Sequence, residues 1–369
     1  MKKILISTGG TGGHVFPATA LIQQLKQERD DIEIIVAGGN LSQNKFLNDI
    51  DVECLDISCG SLNGNIFNKI AAAGKMTVGI KQSLKIIKEF KPDLVVGFGS
   101  FYTFPVVLAA KMKGIPLVLH EANSIPGRVT RGFSRFATAT GVHLPQTLDL
   151  LKGNVIEVGM PLRGGYTKLF SSRDKATRYF RLDPEKFTFL VFGGSQGALA
   201  LNTLFSNTVS EMSERSTNFQ VIHFTGKLGA CNEIQQFYDE IGIKACVKDF
   251  EEHMDQAWIC ADMTISRAGA MSIAEQLEYE VPGILIPYPY ATDGHQDGNA
   301  DFMVDVGSSI KIRQKDCTAE ILSQKISELL ANDKAELHQM CAAMKEYKQK
   351  LRRRDLCSVV CEIAGLKWR

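Results

Sequence analysis

Residues 3–18, KILISTGGTGGHVFPA, decide the fold. Lys3 to Ser7 is a short run of apolar side chains suited to a buried strand. Four glycines follow between Gly9 and Gly13, and a helical pattern then runs from Val15 to about residue 28. Strand, glycine-rich turn and helix, in that order, open a parallel α/β unit. Glycine lets a backbone approach a ligand closely, and a helix N-terminus offers unpaired N–H groups and a positive dipole end. The loop suits a phosphate or a developing negative charge. The alternative is a tight strand–helix turn that needs positive φ.

Working outward, residues 32–37, 93–97 and 115–120 read as further strands, with a helix over 104–113. The pattern then restarts. Residues 187–192 (FTFLVF) form a strand, Gly193–Gly197 a second glycine-rich turn, and a helix begins near Ala198. Strands follow at 220–224, 263–266 and 283–287, with a helix over 270–280 and a charged helical tail from about 335 to 365. A length of 369 residues, at about 150 per domain, allows two domains. The expectation is two doubly wound units in tandem, broken near Gly159-Met160-Pro161-Leu162-Arg163-Gly164-Gly165, where proline and glycine interrupt regular structure.

Composition removes several function classes. A formal net charge of +1 argues against a nucleic-acid binder, which carries a basic excess. Nine cysteines, an odd number without a CxxC pair, predict free thiols in a reducing cytoplasm rather than a disulfide framework or zinc site. Ile4-Leu5-Ile6 is too short for a signal peptide. The longest uncharged stretch, Leu94 to Ala110, is interrupted by Gly97, Gly99 and Pro105, so no transmembrane helix is expected.

Five segments carry candidate chemistry. His14 stands at the first helical turn, where the positive helix end favours the neutral imidazole and suits a base or a hydrogen-bond partner; a capping role is the alternative. In Gly193-Gly194-Ser195-Gln196-Gly197, Ser195 adds a hydroxyl donor or an N-cap. Glu121, in His120-Glu121-Ala122-Asn123, follows a strand, where open α/β sheets bind ligands; it suits a general base or a sugar-hydroxyl acceptor. Glu275 sits one turn into the helix after Ser266-Arg267-Ala268-Gly269 and can accept from both ribose hydroxyls. Asp293 to Ala300 reads as a polar loop. Two common readings fail: Val15 replaces the third glycine of a dinucleotide fingerprint, no carboxylate follows Val36-Ala37-Gly38-Gly39, and neither loop supplies a Walker lysine.

In this order, GGTGGHVFPA (9–18), HEANSIPG (120–127), GMPLR (159–163), FGGSQGALALN (192–202), FTGK (224–227) and RAGAMSIAE (267–275) resemble the MurG family of peptidoglycan glycosyltransferases. The resemblance implies a GT-B fold, two Rossmann-like domains facing across a cleft. Residues 1–160 would form an acceptor and membrane-facing domain, 161–340 the UDP-GlcNAc donor domain, and 341–369 a helix returning to the first. It implies inverting transfer of N-acetylglucosamine to the muramyl 4-hydroxyl of lipid I, with His14 and Glu121 as catalytic candidates. Ser195 and Arg163 would approach the diphosphate, and Phe250-Glu251 the uracil. Ala270, Met271, Ser272, Ile273, Ala274 and Glu275 would hold phosphate and ribose. Gln296 beside His295 would read the sugar, and Thr11, Gly12, Gly13 and Asn123 would face it. No metal or cofactor is implied, and no DxD-like pair appears in these segments. The implied partners are UDP-GlcNAc, undecaprenyl-linked lipid I, the cytoplasmic face of the inner membrane as a peripheral site, and cell-wall synthesis proteins, with no nucleic acid. The basic, apolar stretch Asn65–Lys91 suits an anionic interface or an ordinary core-facing helix. Another UDP-sugar GT-B transferase of glycolipid synthesis, a UDP-sugar epimerase and a non-catalytic sugar-nucleotide sensor are the alternatives. The loop Gly97–Phe104 is more aromatic and poorer in glycine than in the family.

Overall fold

The structure, a computed structural model, describes residues 1–10, 12–42, 44–47, 50–60, 66–162, 172–194, 197–213, 218–227 and 230–367. The chain divides into two compact units, Met1–Gly164 with Arg352–Arg369, and Gly165–Leu351.

The first unit runs β1 (Lys2–Ser7), α1 (Gly12–Glu28), β2 (Ile32–Gly38), β3 (Glu53–Asp56), α2 (Ile66–Phe90), β4 (Leu94–Gly97), α3 (Phe104–Met112), β5 (Leu117–Glu121), α4 (Arg128–Phe133), β6 (Ala139–Val142) and β7 (Val155–Glu157). Its seven strands pair in parallel in the order β3-β2-β1-β4-β5-β6-β7. A parallel sheet must be covered on both faces, so its strands are apolar throughout. The pleat sorts them: Ile4 and Ile6 pack with Val15, Leu21, Ile22 and Leu25 of α1. Leu5 points the other way, into a cluster with Val95, Val106, Val107 and Leu117.

The second unit runs α5 (Arg173–Tyr179), β8 (Phe187–Phe192), α6 (Leu199–Ser213), β9 (Phe219–Phe224), α7 (Cys231–Glu240), β10 (Ala245–Lys248), α8 (Met254–Cys260), β11 (Met263–Ser266), α9 (Ala270–Tyr279), β12 (Gly283–Leu285), α10 (His295–Asp305), β13 (Ser309–Lys311) and α11 (Ala319–Lys350). Its parallel sheet has the order β10-β9-β8-β11-β12-β13. Helical φ/ψ lapse at Ala331–Lys334, so α11 is two helical runs joined at a kink. The return to the first unit follows Leu351 rather than residue 341, and all of α11 stays with the second sheet. The last helix, α12 (Leu356–Ile363), buries Leu356, Cys357, Val359, Val360 and Cys361 in the core beside α1. Val158 bridges to Arg354, and Arg353 Nε donates to Glu157 Oε1 at 2.5 Å.

In each sheet the strand order reverses once, between β1 and β4 and between β8 and β11. Ligands of open α/β sheets bind outside the strand C-termini at such a reversal. The loops that follow these four strands contain the first, second and fourth motif segments and the aromatic loop 98–103. Among the described residues, no helix is long and apolar enough to cross a membrane.

Candidate active site

Gly12, Gly13 and His14 form the first turn of α1, with Gly12 buried, Gly13 exposed and His14 half-buried. His14 Nδ1 lies 2.8 Å from the carbonyl oxygen of Phe98, the residue after β4. A carbonyl can only accept, so Nδ1 carries a proton, and the tautomer this favours for a neutral ring has its lone pair on Nε2. Thr8 Oγ1 donates to the His14 carbonyl at 2.9 Å, tying the turn to the end of β1. The imidazole is therefore held in one tautomer and one orientation at the switch point.

Two of the loop's glycines pack closely against the loop after β4. A Cβ on Gly9 would lie 2.9 Å from Tyr102 Cβ, and one on Gly10 would lie 3.0 Å from the Tyr102 ring. Gly10 also has φ +88, which glycine adopts without strain. Gly9 therefore fits against the Gly39 carbonyl and Tyr102, Gly10 against the Tyr102 ring, and Gly12 and Gly13 start the helix.

Glu121 ends β5 and is buried. Its Oε1 accepts from Asn123 N at 3.1 Å and Asn123 Nδ2 at 3.4 Å, and its Oε2 accepts from Gly127 N at 2.9 Å. Both oxygens thus hold the loop 122–127 in shape. Asn123 is half-buried beside it, and its carbonyl accepts from Thr147 Oγ1. Behind this loop, His120 and His143 are buried on the α1 side of the sheet. His120 Nε2 and both ring nitrogens of His143 lack a hydrogen-bond partner. Burial, reinforced by His14, pushes the His120 pKa down to about 3. Burial, with Arg353 and His120 nearby, pushes that of His143 well below the usual range. Both rings are neutral spacers.

In the second unit, α9 begins at Ala270 behind Gly269, which caps it with no side-chain acceptor. Ala270, Met271, Ile273 and Ala274 bury their side chains, so only their backbones can reach a ligand, whereas Ser272 is half-buried. Glu275 is 6% exposed, and its Oε2 accepts from Trp258 Nε1 at 3.0 Å. Asn299 Nδ2 donates to the Ala268 carbonyl at 3.0 Å, which fixes the turn before α9. Arg267 is buried and donates to the carbonyls of Ile286 and Pro287 at 3.0 and 3.2 Å. These supports escaped the sequence reading, although Arg267 and Asn299 lay inside quoted motifs.

The segment 293–300, read as a loop, is mostly helix. Thr292–Gly294 is a short 3-10 turn, and α10 starts at His295. Positive φ at Asp293 and Gly294 reverses the chain just before it, the work of Asp and Gly in turns. Gln296 Oε1 accepts from Tyr288 N at 2.9 Å, so this side chain ties α10 to the proline-rich turn. Glu251 is buried and fully engaged: Tyr179 Oη donates at 3.0 Å, Lys248 Nζ at 2.6 Å and His253 N at 2.8 Å. Burial opposes its ionisation, yet Lys248 and these donors hold its carboxyl below the usual range. Its side chain organises the loop 249–253.

Thr11, Arg163 and Ser195 lie outside the described residues. Among the described residues, no group of three or more His, Cys, Asp or Glu could hold a metal ion.

The models of the glycosyltransferase family 28 N-terminal and C-terminal domains match residues 4–142 and 188–354. A UDP-N-acetylglucosamine–N-acetylmuramyl-(pentapeptide) pyrophosphoryl-undecaprenol N-acetylglucosamine transferase of Protochlamydia amoebophila is 45% identical over 99% of this chain and 97% of its own. The transferase of the same name from Chlamydia felis is 34% identical over 98% of this chain and 99% of its own. The crystal structure of Acinetobacter baumannii MurG superposes with a TM-score of 0.78 at 27% identity, covering 99% of this chain and all of that one.

Proposed function

The chain belongs to glycosyltransferase family 28, among the transferases that complete the lipid-linked peptidoglycan precursor, and from that premise we propose how its residues divide the chemistry. The enzyme has a GT-B fold and transfers N-acetylglucosamine from UDP-GlcNAc to the muramyl 4-hydroxyl of lipid I, giving lipid II. The acceptor oxygen bonds to C1 of the sugar as the bond from C1 to the UDP oxygen breaks, with inversion and an oxocarbenium-like transition state.

His14 is the base. The observation that carries this is its 2.8 Å bond to the Phe98 carbonyl, which fixes Nδ1 as the donor and makes Nε2 the basic nitrogen of the ring. Glu121 shapes the loop that presents Asn123 and is not itself the base, because its oxygens are already committed to amides. The first turn of α9 receives the diphosphate on its N–H groups, where the helix dipole favours the departing charge. Ser195 and Arg163 are the further candidates for contact with the diphosphate. Glu275, anchored by Trp258, accepts from the ribose. The backbone of 250–251 meets the uracil. For the donor sugar, Gln296 is the candidate from the second unit, and Thr11, Gly12, Gly13 and Asn123 are the candidates from the first.

Residues 1–160 are the acceptor side and the membrane-facing side. Ile70, Val78, Met112 and Phe136 are exposed there, and Lys111 Nζ sits 3.2 Å from the centroid of the Phe136 ring. Apolar tips flanked by cations suit an anionic bilayer surface, the cytoplasmic leaflet that holds the acceptor lipid.

The test is single-turnover transfer to a lipid I analogue, with UDP-GlcNAc affinity measured in parallel. His14→Ala loses at least about a hundredfold in turnover and keeps its donor affinity. Turnover close to wild type in this variant would remove His14 from the chemistry.

A further inference from the structure

We infer that Tyr102 is a positioning residue for His14: its ring, wedged between Gly10 and Gly39, locks the loop after β4 onto the loop after β1. The inference rests on the reading of His14 as the base.

The ring is gripped along both edges. A Cβ on Gly39 would lie 2.1 Å from Tyr102 Cδ1 and 2.9 Å from Cε1; one on Gly10 would lie 3.0 Å from Cε2 and 3.1 Å from Cδ2. Such distances admit hydrogen and nothing larger, so the slot between the two glycines is cut to the width of this ring. The backbone of Tyr102 is pinned as well, because Cys59 Sγ donates to its carbonyl at 3.3 Å. The phenol makes one longer contact, from Asn40 Nδ2 at 3.3 Å.

The segment that Tyr102 anchors is strained. Gly99 and Ser100 both have φ +70, and Ser100 combines it with ψ 153, a region that side chains other than glycine rarely occupy. Such a conformation persists only where its surroundings impose it. This same segment frames His14. Phe98 supplies the carbonyl for Nδ1, and a Cβ on Gly99 would lie 3.6 Å from the imidazole Cε1 and Nδ1. On the other side, Gly9 and Gly10 lead into the turn that carries His14. A glycine-rich backbone has large conformational freedom of its own. Without the ring, the residues on both sides of the imidazole are slack, and the base loses its fixed approach to the acceptor.

The experiment is steady-state transfer with Tyr102→Ala, Tyr102→Phe, Gly39→Ala and His14→Ala. Tyr102→Ala lowers kcat about tenfold or more, the scale on which sub-ångström misplacement acts, and raises KM for UDP-GlcNAc by a smaller factor, since Gly12 and Gly13 supply only part of the assigned donor contacts. Tyr102→Phe keeps the ring and restores kcat. Gly39→Ala expels the ring by its added methyl and reproduces the kcat loss, so it carries the test if Tyr102→Ala does not fold. In the Tyr102→Ala background Gly39→Ala adds no further loss, because both act through one contact. Wild-type kcat in Tyr102→Ala, or in Gly39→Ala where that variant carries the test, overturns the inference. So does a loss in Tyr102→Phe equal to that in Tyr102→Ala. If His14→Ala turns over normally, the reading of the base fails instead, whatever Tyr102 does.

Discussion

At the scale of the residue, burial and hydrogen bonding decide what each titratable group can do. Three histidines are buried, and their environments differ. His223 is satisfied: Asn202 Oδ1 accepts from its Nε2 at 3.2 Å, and Tyr238 Oη donates to its Nδ1 at 3.0 Å. His120 and His143 have unpartnered ring nitrogens. Burial holds the pKa of His120 and of His223 down to about 3, and that of His143 well below its usual value. Each is neutral when folded and protonates freely when unfolded below about pH 6.5. The unfolded chain then binds more protons, so stability is whole above that pH and falls on acidification. The expected slope is on the order of 1 kcal/mol per pH unit each for His120 and His223 as the pH drops from 6.5 towards 3, and His143 adds to it in the same direction. Urea unfolding at pH 7.5, 6 and 5 reads this directly, and midpoints that do not fall on acidification would contradict it. None of this was legible in the sequence, where His120 and His14 are both histidines beside glycine or a carboxylate. Only the sheet shows that one ring lies in the core and the other at the rim.

At the scale of the element, the strand–glycine–helix openings were legible because period and punctuation are local. β8 runs Phe187–Phe192 and β11 runs Met263–Ser266, as read from their apolar runs. The short edge strands β3, β7, β10 and β13 were missed, since three or four residues that are mostly half-buried carry little pattern, and so was the four-residue inner strand β6. The helix α10 was missed because Asp293 to Ala300 is polar and glycine-bearing, and tertiary packing of Asn299, Ala300, Phe302 and Met303 overrides that propensity. The loop 249–253 shows how a side-chain network sets an element. Glu251 gathers Lys248, Tyr179 and the His253 amide, and Lys248 also lies 4.7 Å from the Tyr179 ring centroid. Glu251→Ala removes the charged hub and frees the loop. UDP-GlcNAc affinity then falls about tenfold, the worth of one charge-assisted hydrogen bond, while kcat at saturating donor holds. Titration calorimetry beside steady-state kinetics separates the two, and unchanged affinity would take this loop out of donor binding.

At the scale of the whole molecule, the chain closes its first unit with its last residues. α12 completes the core around Ile4, Val15 and Val158, and Arg353 is 9% exposed in its side chain where it meets Glu157. Ending the chain after Leu351 strips that cover and exposes five buried side chains' worth of sheet and helix, at roughly 1.5–3 kcal/mol for each large apolar group. The first unit then unfolds well below the second, so calorimetry gives two separated transitions where the full chain gives closer ones. Unfolding of the truncated chain that matches the full one would mean α12 is dispensable. By itself, the sequence determined the two parallel α/β units, their glycine-rich openings and the family, because these rest on short-range pattern and ordered motifs. Only the tertiary structure decided that Gly10 accommodates the Tyr102 ring, that the oxygens of Glu121 and Glu251 accept from loop amides, and that the tail rejoins the first core after Leu351. Those facts depend on which distant groups fill the space beside a residue, and spacing along a chain does not carry that information.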